Sequence, residues 1–277
     1  MGRLLSLVLC AVVVFGPRNI PTAAADTLNI QGSTTMYAVT KQMARTFQLR
    51  RSGIEVIVSD SGSGHGIAAL IGGDADITIS SRFINTEELQ LATQQGIYPV
   101  PFRIADDCIL PVVNNSNRVR NLSIEQLRGI YAGRIGNWSE VGGADLPIQV
   151  ISRETTSGTS GVWRDLVMEG EPVVASQPLQ PSSGDVVRIV SSSPEAIGYI
   201  GLGNLSASIK PLRVEGVMGS IRSVRDGSYR ISRPLFMFTR GWPSGPPLEF
   251  INFVLDPARG QSIIEREGFV PLYNSDR

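Results

Sequence analysis

Leu28-Asn29-Ile30-Gln31-Gly32-Ser33-Thr34-Thr35-Met36 is the stretch on which the reading of this chain turns. Leu28 to Ile30 is a short run of β type, and Gly32 to Thr35 is a turn rich in hydroxyls. Beyond the turn, Met36, Val39, Met43 and Phe47 recur at the spacing of one helical face. Strand, small-residue turn and helix make one unit.

Working outward, the unit recurs. The β-branched run Ile54 to Val58 enters Ser61-Gly62-Ser63-Gly64-His65-Gly66, and Ile67 to Ile71 continues as a helix. Ala75 to Ile79 is a third strand, ending in Ser80-Ser81-Arg82. Cys108 to Val113 reads as a long apolar strand before the turn Asn114-Asn115-Ser116-Asn117, and Ile124 to Tyr131 as an amphipathic helix. Ile148 to Ile151 then leads into Ser152-Arg153-Glu154-Thr155-Thr156-Ser157-Gly158-Thr159-Ser160, which opens a helix carrying Val162, Trp163, Leu166 and Val167. Ala196 to Leu202 is another strand, Leu205 to Tyr229 is polar and irregular, Pro234 to Thr239 is apolar, and Leu248 to Val254 with Gln261 to Glu267 are the closing helices. Strands alternating with helices predict an α/β protein with mostly parallel sheets flanked by helices. The recurrence of the unit in a second region of the chain points to two lobes with the chain crossing between them.

The N-terminus is set apart from that fold. Arg3, the apolar stretch Leu4 to Phe15 and the small residues Ala23, Ala24 and Ala25 form the pattern of a cleaved secretory leader over residues 1–25. The apolar run falls short of the ~20 residues that span a bilayer. Leu9 precedes Cys10, where a lipid-attachment signal has a small residue, so cleavage near Ala25 is the expectation. Cys10 leaves with the leader and Cys108 remains alone, which excludes an intrachain disulfide framework. The 25 basic and 25 acidic residues balance, so nothing in the charge marks a nucleic-acid or anionic-lipid partner.

Turns of this composition have a chemical consequence. The first N–H groups of a helix lack intrahelical partners, and with the positive end of the macrodipole they attract an anion. Glycine admits close approach and hydroxyls add neutral donors. A single such turn can be no more than an N-cap; three of them, after strands, place their donors where open α/β sheets bind ligands. Arg82 and Arg153 stand beside these turns, and a guanidinium offers paired donors that match two oxygens of a tetrahedral oxyanion.

Catalysis is poorly supported by comparison. His65 is the single histidine, no Gly-x-Ser-x-Gly elbow occurs, and neither a Walker A pattern nor a metal-ligand cluster is present. No catalytic residue, metal or cofactor is expected. Asp74, Asp76, Asp106 and Asp107 read as solvated or capping carboxylates in loops and strand edges. Receptors for sulfate or molybdate, and a secreted phosphoester hydrolase acting through Ser63, remain as alternatives.

Taken in order, Gly32-Ser33-Thr34-Thr35-Met36, Gly62-Ser63-Gly64-His65-Gly66-Ile67, Ala75-Asp76-Ile77 with Ser80-Ser81-Arg82, and Arg153 with Ser157-Gly158-Thr159 resemble the motifs of the periplasmic phosphate-binding proteins (PstS-like) of ABC uptake systems. The resemblance runs from about Thr27 to Leu272, through Asn121-Leu122, Gly136-Asn137-Trp138, Ala196-Ile197-Gly198-Tyr199, Ser232-Arg233-Pro234-Leu235 and Gly268-Phe269-Val270-Pro271-Leu272. It implies a type II periplasmic-binding-protein fold, with lobe I at residues 26–107 and 233–277 and lobe II at 108–232. It also implies that Thr34, Thr35, the Met36 N–H, Ser63, Arg82, Arg153, Ser157, Gly158 and Thr159 hold inorganic phosphate in the interlobe cleft without covalent chemistry. The implied setting is a periplasmic monomer that delivers phosphate to ABC permease subunits in the inner membrane. Two positions depart from the family pattern. Arg82 stands where the best-known members carry an aspartate that accepts the proton of hydrogen phosphate, and an arginine cannot accept; either Asp60 or Asp76 substitutes, or selectivity over sulfate is weaker. His65 replaces a small residue, and a rim histidine would add pH dependence near its ordinary pKa of ~6.5.

Overall fold

The computed structural model describes residues 26–273. The leader, its cleavage and the Cys10 reading lie outside the described residues.

β1 (Asp26–Gly32) alternates outward and inward side chains, and Leu28 and Ile30 are fully buried. α1 (Tyr37–Gln48) buries Val39, Met43, Ala44 and Phe47 on one face and returns the chain to β2 (Ile54–Asp60), which pairs parallel with β1 from Asp26↔Ile54 to Gly32↔Asp60. α2 (Ser63–Gly72) carries the chain back over the sheet to β3 (Ile77–Ser80), parallel to the other edge of β1. Successive connections thus leave β1 in opposite directions, which opens a crevice at the carboxyl ends of β1 and β3. α3 (Thr86–Gln94) follows, started by an Asn85/Glu88 capping box.

β4 (Val100–Asn114) is 15 residues long. It starts well before Cys108, the start expected from apolarity. Its first residues alternate, with Pro101 and Arg103 facing outward, so one wet face breaks the apolar run. Past it lie β5 (Asn121–Leu122), α4 (Ile124–Tyr131), β6 (Gln149–Val150), α5 (Gly158–Leu166), α6 (Ser183–Ser192), β7 (Ala196–Gly201), β8 (Ile209–Pro211), β9 (Arg213–Val214) and α7 (Ile221–Arg225). The last three occupy the stretch expected to be irregular, where elements of two to five residues are too short to show a period. β10 (Ser232–Thr239), α8 (Gly245–Leu255), α9 (Ser262–Arg266) and β11 (Val270–Pro271) complete the chain.

The main sheet runs β2-β1-β3-β10-β4-β7-β6, with β8 and β11 also on β4. Pairing is parallel in β2-β1-β3 and in β6-β7, and antiparallel around the two strands that cross between halves. β4 joins β10 through its first part, from Val100↔Thr239 to Cys108↔Ser232, and β7 through its second, from Ile109↔Gly201 to Val113↔Ile197. Two large apolar cores sit on either side of that change of partner, and a smaller third packs Ile67, Leu70 and Ile71 of α2 against Phe236 and Phe238 of β10. One of the large cores is built from residues between Cys108 and Ile231, around Trp138, Trp163 and Tyr199. The other is built from Leu28 to Ala105 and Leu235 to Phe269. At ~1.5–3 kcal/mol for each fully buried large apolar side chain, either core is substantial. Among the described residues no helix is long and apolar enough to cross a membrane.

Candidate interlobe oxyanion site

Three helix N-termini converge where the lobes meet. The turn before α1 leaves β1 through Gly32 at φ 139°, where a side chain would strike the carbonyl oxygen of Ile79: a β-carbon would lie 2.2 Å from it. Ser33 N–H donates to that same oxygen at 2.8 Å, which ties the turn to the end of β3. α2 begins at Ser63, whose Oγ accepts the Ser81 N–H at 3.1 Å and lies 3.4 Å from Ser81 Oγ. α5 begins in the other lobe, where its N-cap Ser157 accepts the Ser160 N–H at 3.3 Å.

The lobes touch through these ends. Thr35 Oγ1 and Thr159 Oγ1 are 3.0 Å apart, Arg153 donates to Thr34 Oγ1 at 3.0 Å, and Gly64 N–H donates to the Thr156 carbonyl at 2.9 Å. Gly158 is required by this approach, because a β-carbon there would sit 2.5 Å from Ser63 Oγ and 2.6 Å from Ser81 Oγ. Ser33, Thr35, Ser63, Ser81, Arg153, Ser157 and Thr159 are all buried. Hydroxyls expected from separate motifs therefore share one dry interface.

Arg153 is 2% exposed. Its Nε donates to the Gln180 carbonyl at 3.0 Å, one terminal nitrogen to Ser183 Oγ at 3.1 Å, and the other to Thr34 Oγ1 at 3.0 Å and the Pro181 carbonyl at 2.9 Å. All four partners are neutral oxygens, and no carboxylate forms an ion pair with it among the described residues. Burial, with a smaller contribution from the Arg233 charge, lowers its pKa to about 10, partly offset by Tyr199, Glu154 and Asp185, so it stays cationic at neutral pH. Its backbone is placed by Tyr199, whose hydroxyl accepts the Arg153 N–H at 3.2 Å and meets Ser152 Oγ at 2.9 Å. Tyr199 in turn stacks on Trp163 of α5, with centroids 4.5 Å apart and planes 8° from parallel. One aromatic pair therefore holds both the guanidinium strand and the helix whose N-terminus faces it.

A second buried guanidinium lies beside the hydroxyls. Arg233 pairs with Asp107 through Nε at 3.1 Å and a terminal nitrogen at 2.8 Å, and also reaches Thr159 Oγ1 at 3.0 Å and Thr35 Oγ1 at 3.4 Å. Burial pushes the Asp107 carboxyl up from its ordinary value, while the Arg233 charge and the Leu202 N–H pull it back. Asp107 was expected to be a solvated strand-edge carboxylate, and that is corrected here: it is 0% exposed inside β4 because β10 lies directly against it.

Other expectations are placed less centrally. Arg82 makes a two-point pair with Glu88 at 2.5 and 2.8 Å and donates to the Phe83 carbonyl; a β-carbon on Gly161 of α5 would be 3.3 Å from its Cδ, which puts it at the rim between lobes. The Met36 N–H donates to the Ser33 carbonyl at 3.1 Å within its own turn. His65 is exposed, and its Nδ1 donates to the Ser61 carbonyl at 2.7 Å. Asp76 cannot be the proton acceptor: it binds the Asn29 N–H at the amino end of β3, about 13 Å from Ser80 by strand rise. Asp60 is exposed at the end of β2. Ser81, Asp107, Tyr199 and Arg233 were absent from the expected site; Ser81, Tyr199 and Arg233 stood in quoted motifs, and for Arg233 its place before Pro234 in an apolar run was the available signal.

Two α/β lobes joined by crossing strands, with helix N-termini and hydroxyls from both closing on a buried guanidinium, define the class of two-lobed binding proteins. The chain belongs to the PBP superfamily, whose domain model matches residues 18–258. It is similar to the phosphate-binding protein PstS of Bacillus subtilis, 28% identical over 251 residues, with 90% of this chain and 82% of the relative covered. Among solved structures it resembles a candidate phosphate ABC transporter substrate-binding protein from Clostridium perfringens with bound phosphate, at 30% identity and TM-score 0.84, covering 90% of this chain and 100% of that one. It also resembles an ABC-type phosphate transport receptor from Vibrio cholerae, at 29% identity and TM-score 0.71, covering 88% and 99%.

Proposed function

We propose that this protein is an extracytoplasmic receptor that captures inorganic phosphate between its lobes and hands it to an ABC importer, without chemistry on the ligand. The observation that carries the reading is Arg153, a buried cation bonded to neutral oxygens only. Such a charge is costly unless something neutralises it, and an anion in the crevice would do so. Five donors on a guanidinium against four protein bonds leave one for that ligand. Around it, Thr34, Thr35, Ser63, Ser157, Gly158 and Thr159 are assigned to the ligand's oxygens. Met36 and Arg82, engaged by Ser33 and Glu88, are assigned to the edges.

In this reading residues 26–107 with 233–277 form one lobe, 108–232 the other, and β4 and β10 bend where they cross. Export through a cleaved leader at residues 1–25, a periplasmic location, a monomeric state and docking on inner-membrane permease subunits belong to the same proposal. It is supported by the phosphate-binding names of the relatives. Calorimetric titration of the mature protein is the test, with saturable one-site binding of phosphate as the expected result. No heat and no thermal stabilisation at millimolar phosphate would overturn it. Loss of phosphate binding under excess sulfate would replace it with a general oxyanion receptor.

A further inference from the structure

The pair formed by Asp107 and Arg233 lies where both crossing strands pass from one lobe to the other. The two residues are direct partners in the β4/β10 register, and they are 0% and 4% exposed. Asp107 is the one carboxylate among the described residues in that buried set. Its Oδ2 accepts Nε and a terminal nitrogen of Arg233, and its Oδ1 accepts the Leu202 N–H at 2.9 Å. With both of its oxygens engaged by the protein, the carboxylate is committed to Arg233 and Leu202. What it does is fix the direction of Arg233.

So fixed, Arg233 donates to hydroxyls from opposite lobes, Thr159 Oγ1 and Thr35 Oγ1, which themselves lie 3.0 Å apart. A hydroxyl has one hydrogen and two acceptor positions. Arg233 fills one acceptor position on each oxygen. Whichever hydroxyl also accepts from its neighbour then has both positions occupied, and its own hydrogen must point elsewhere. We infer that the Asp107–Arg233 pair is a positioning device at the lobe junction that commits one hydroxyl hydrogen of the Thr35–Thr159 pair to donate toward bound phosphate, so that the site prefers the dianion over the monoanion. The inference rests on the phosphate reading above and adds a preference among phosphate's ionisation states.

The charged and titratable groups around the pair are Cys108 on β4, Tyr229 just before β10, Arg153 across the crevice, and Arg103 and Asp106 on the neighbouring surface. Burial pushes Cys108 and Tyr229 above their ordinary values, and Arg153 titrates near about 10. None of those three changes charge across the second ionisation of phosphate.

The experiment measures phosphate affinity calorimetrically at several pH values on both sides of that ionisation. It compares the full mature protein with the double variant Asp107→Asn/Arg233→Met, which removes both charges together and keeps an acceptor for Leu202. The melting temperature of each protein without ligand, followed over the same pH values, serves as the control for pH effects on the fold. For the unmodified protein, affinity for total phosphate should rise as the dianion forms. In the double variant it should fall by about tenfold on the alkaline side and lose that rise. A folded double variant that keeps the unmodified pH profile would overturn the inference and leave the phosphate reading intact. Should the double variant not fold, Arg233→Lys takes its place; it keeps the charge opposite Asp107 without the fork that spans both hydroxyls, and an unchanged profile has the same meaning. Absence of phosphate binding in the unmodified protein removes both proposals.

Discussion

Arg153 and Arg233 are both buried arginines at the same lobe junction, and their surroundings differ in one respect. Arg233 faces a carboxylate at 2.8 Å, whereas Arg153 is held by two carbonyls and two hydroxyls. A paired buried cation is part of the scaffold, since its charge is already compensated within the chain. An unpaired one is pre-positioned by dipoles that leave its charge over for something else. The contrast separates the group that ties the crossing strands together from the group proposed to recognise the anion.

Substitutions at the two arginines should therefore fail in different ways. The largest effect is expected for Arg233→Ala, which strands Asp107 in the core and should lower unfolding stability by about 3–5 kcal/mol in denaturant titration. A loss no greater than that of a surface substitution would erase the distinction. Arg153→Ala should instead weaken phosphate binding at least tenfold, on the order of 1.5–3 kcal/mol for a charge-assisted bond, with a smaller loss of stability than Arg233→Ala because no partner charge is stranded. Normal calorimetric binding by that variant would mean that the anion sits elsewhere.

Smaller changes sharpen the contrast. Thr159→Val deletes a hydroxyl that accepts from Arg233 and meets Thr35; a loss of about 0.5–1.5 kcal/mol, seen as a several-fold weaker phosphate affinity, is expected. Least of all should come from Asp185 at the start of α6. Its carboxyl is held below the ordinary range by the Ser182 hydroxyl first, and then by Arg188 and Arg153. A depressed acid stabilises the fold above its unfolded pKa of ~3.9, and that contribution disappears as pH falls through the lower folded value. Asp185→Asn should melt slightly earlier than the unmodified protein at neutral pH, with the gap closing in acid; a gap that widens in acid would contradict the assignment.

Much of lobe I was legible in the linear pattern because its signals are local. Leu28, Ile30, Val39, Met43 and Phe47 declare their faces by periodicity, and the hydroxyl turns at Gly32 and Gly62 mark the helix starts that the structure contains. Less legible were elements whose burial is set by distant neighbours. The first half of β4 looked broken because Pro101 and Arg103 face solvent, and α3 and α6 went unnamed because each buries only a narrow stripe. Asp107 looked like a surface carboxylate for the same reason: nothing next to it in the chain announces that Arg233, 126 residues away, will lie against it.

By itself, the sequence determined the alternation of strand and helix, the donor-rich character of three turns and the presence of guanidinium groups near them, since propensity, periodicity and hydrogen-bond type are properties of short stretches. Tertiary structure alone decided which arginine is neutralised and which is left cationic: Glu88 takes Arg82, Asp107 takes Arg233, and Arg153 meets only dipoles. Compensation of a charge depends on distance in space and on the water excluded around it, and neither is written in the order of residues.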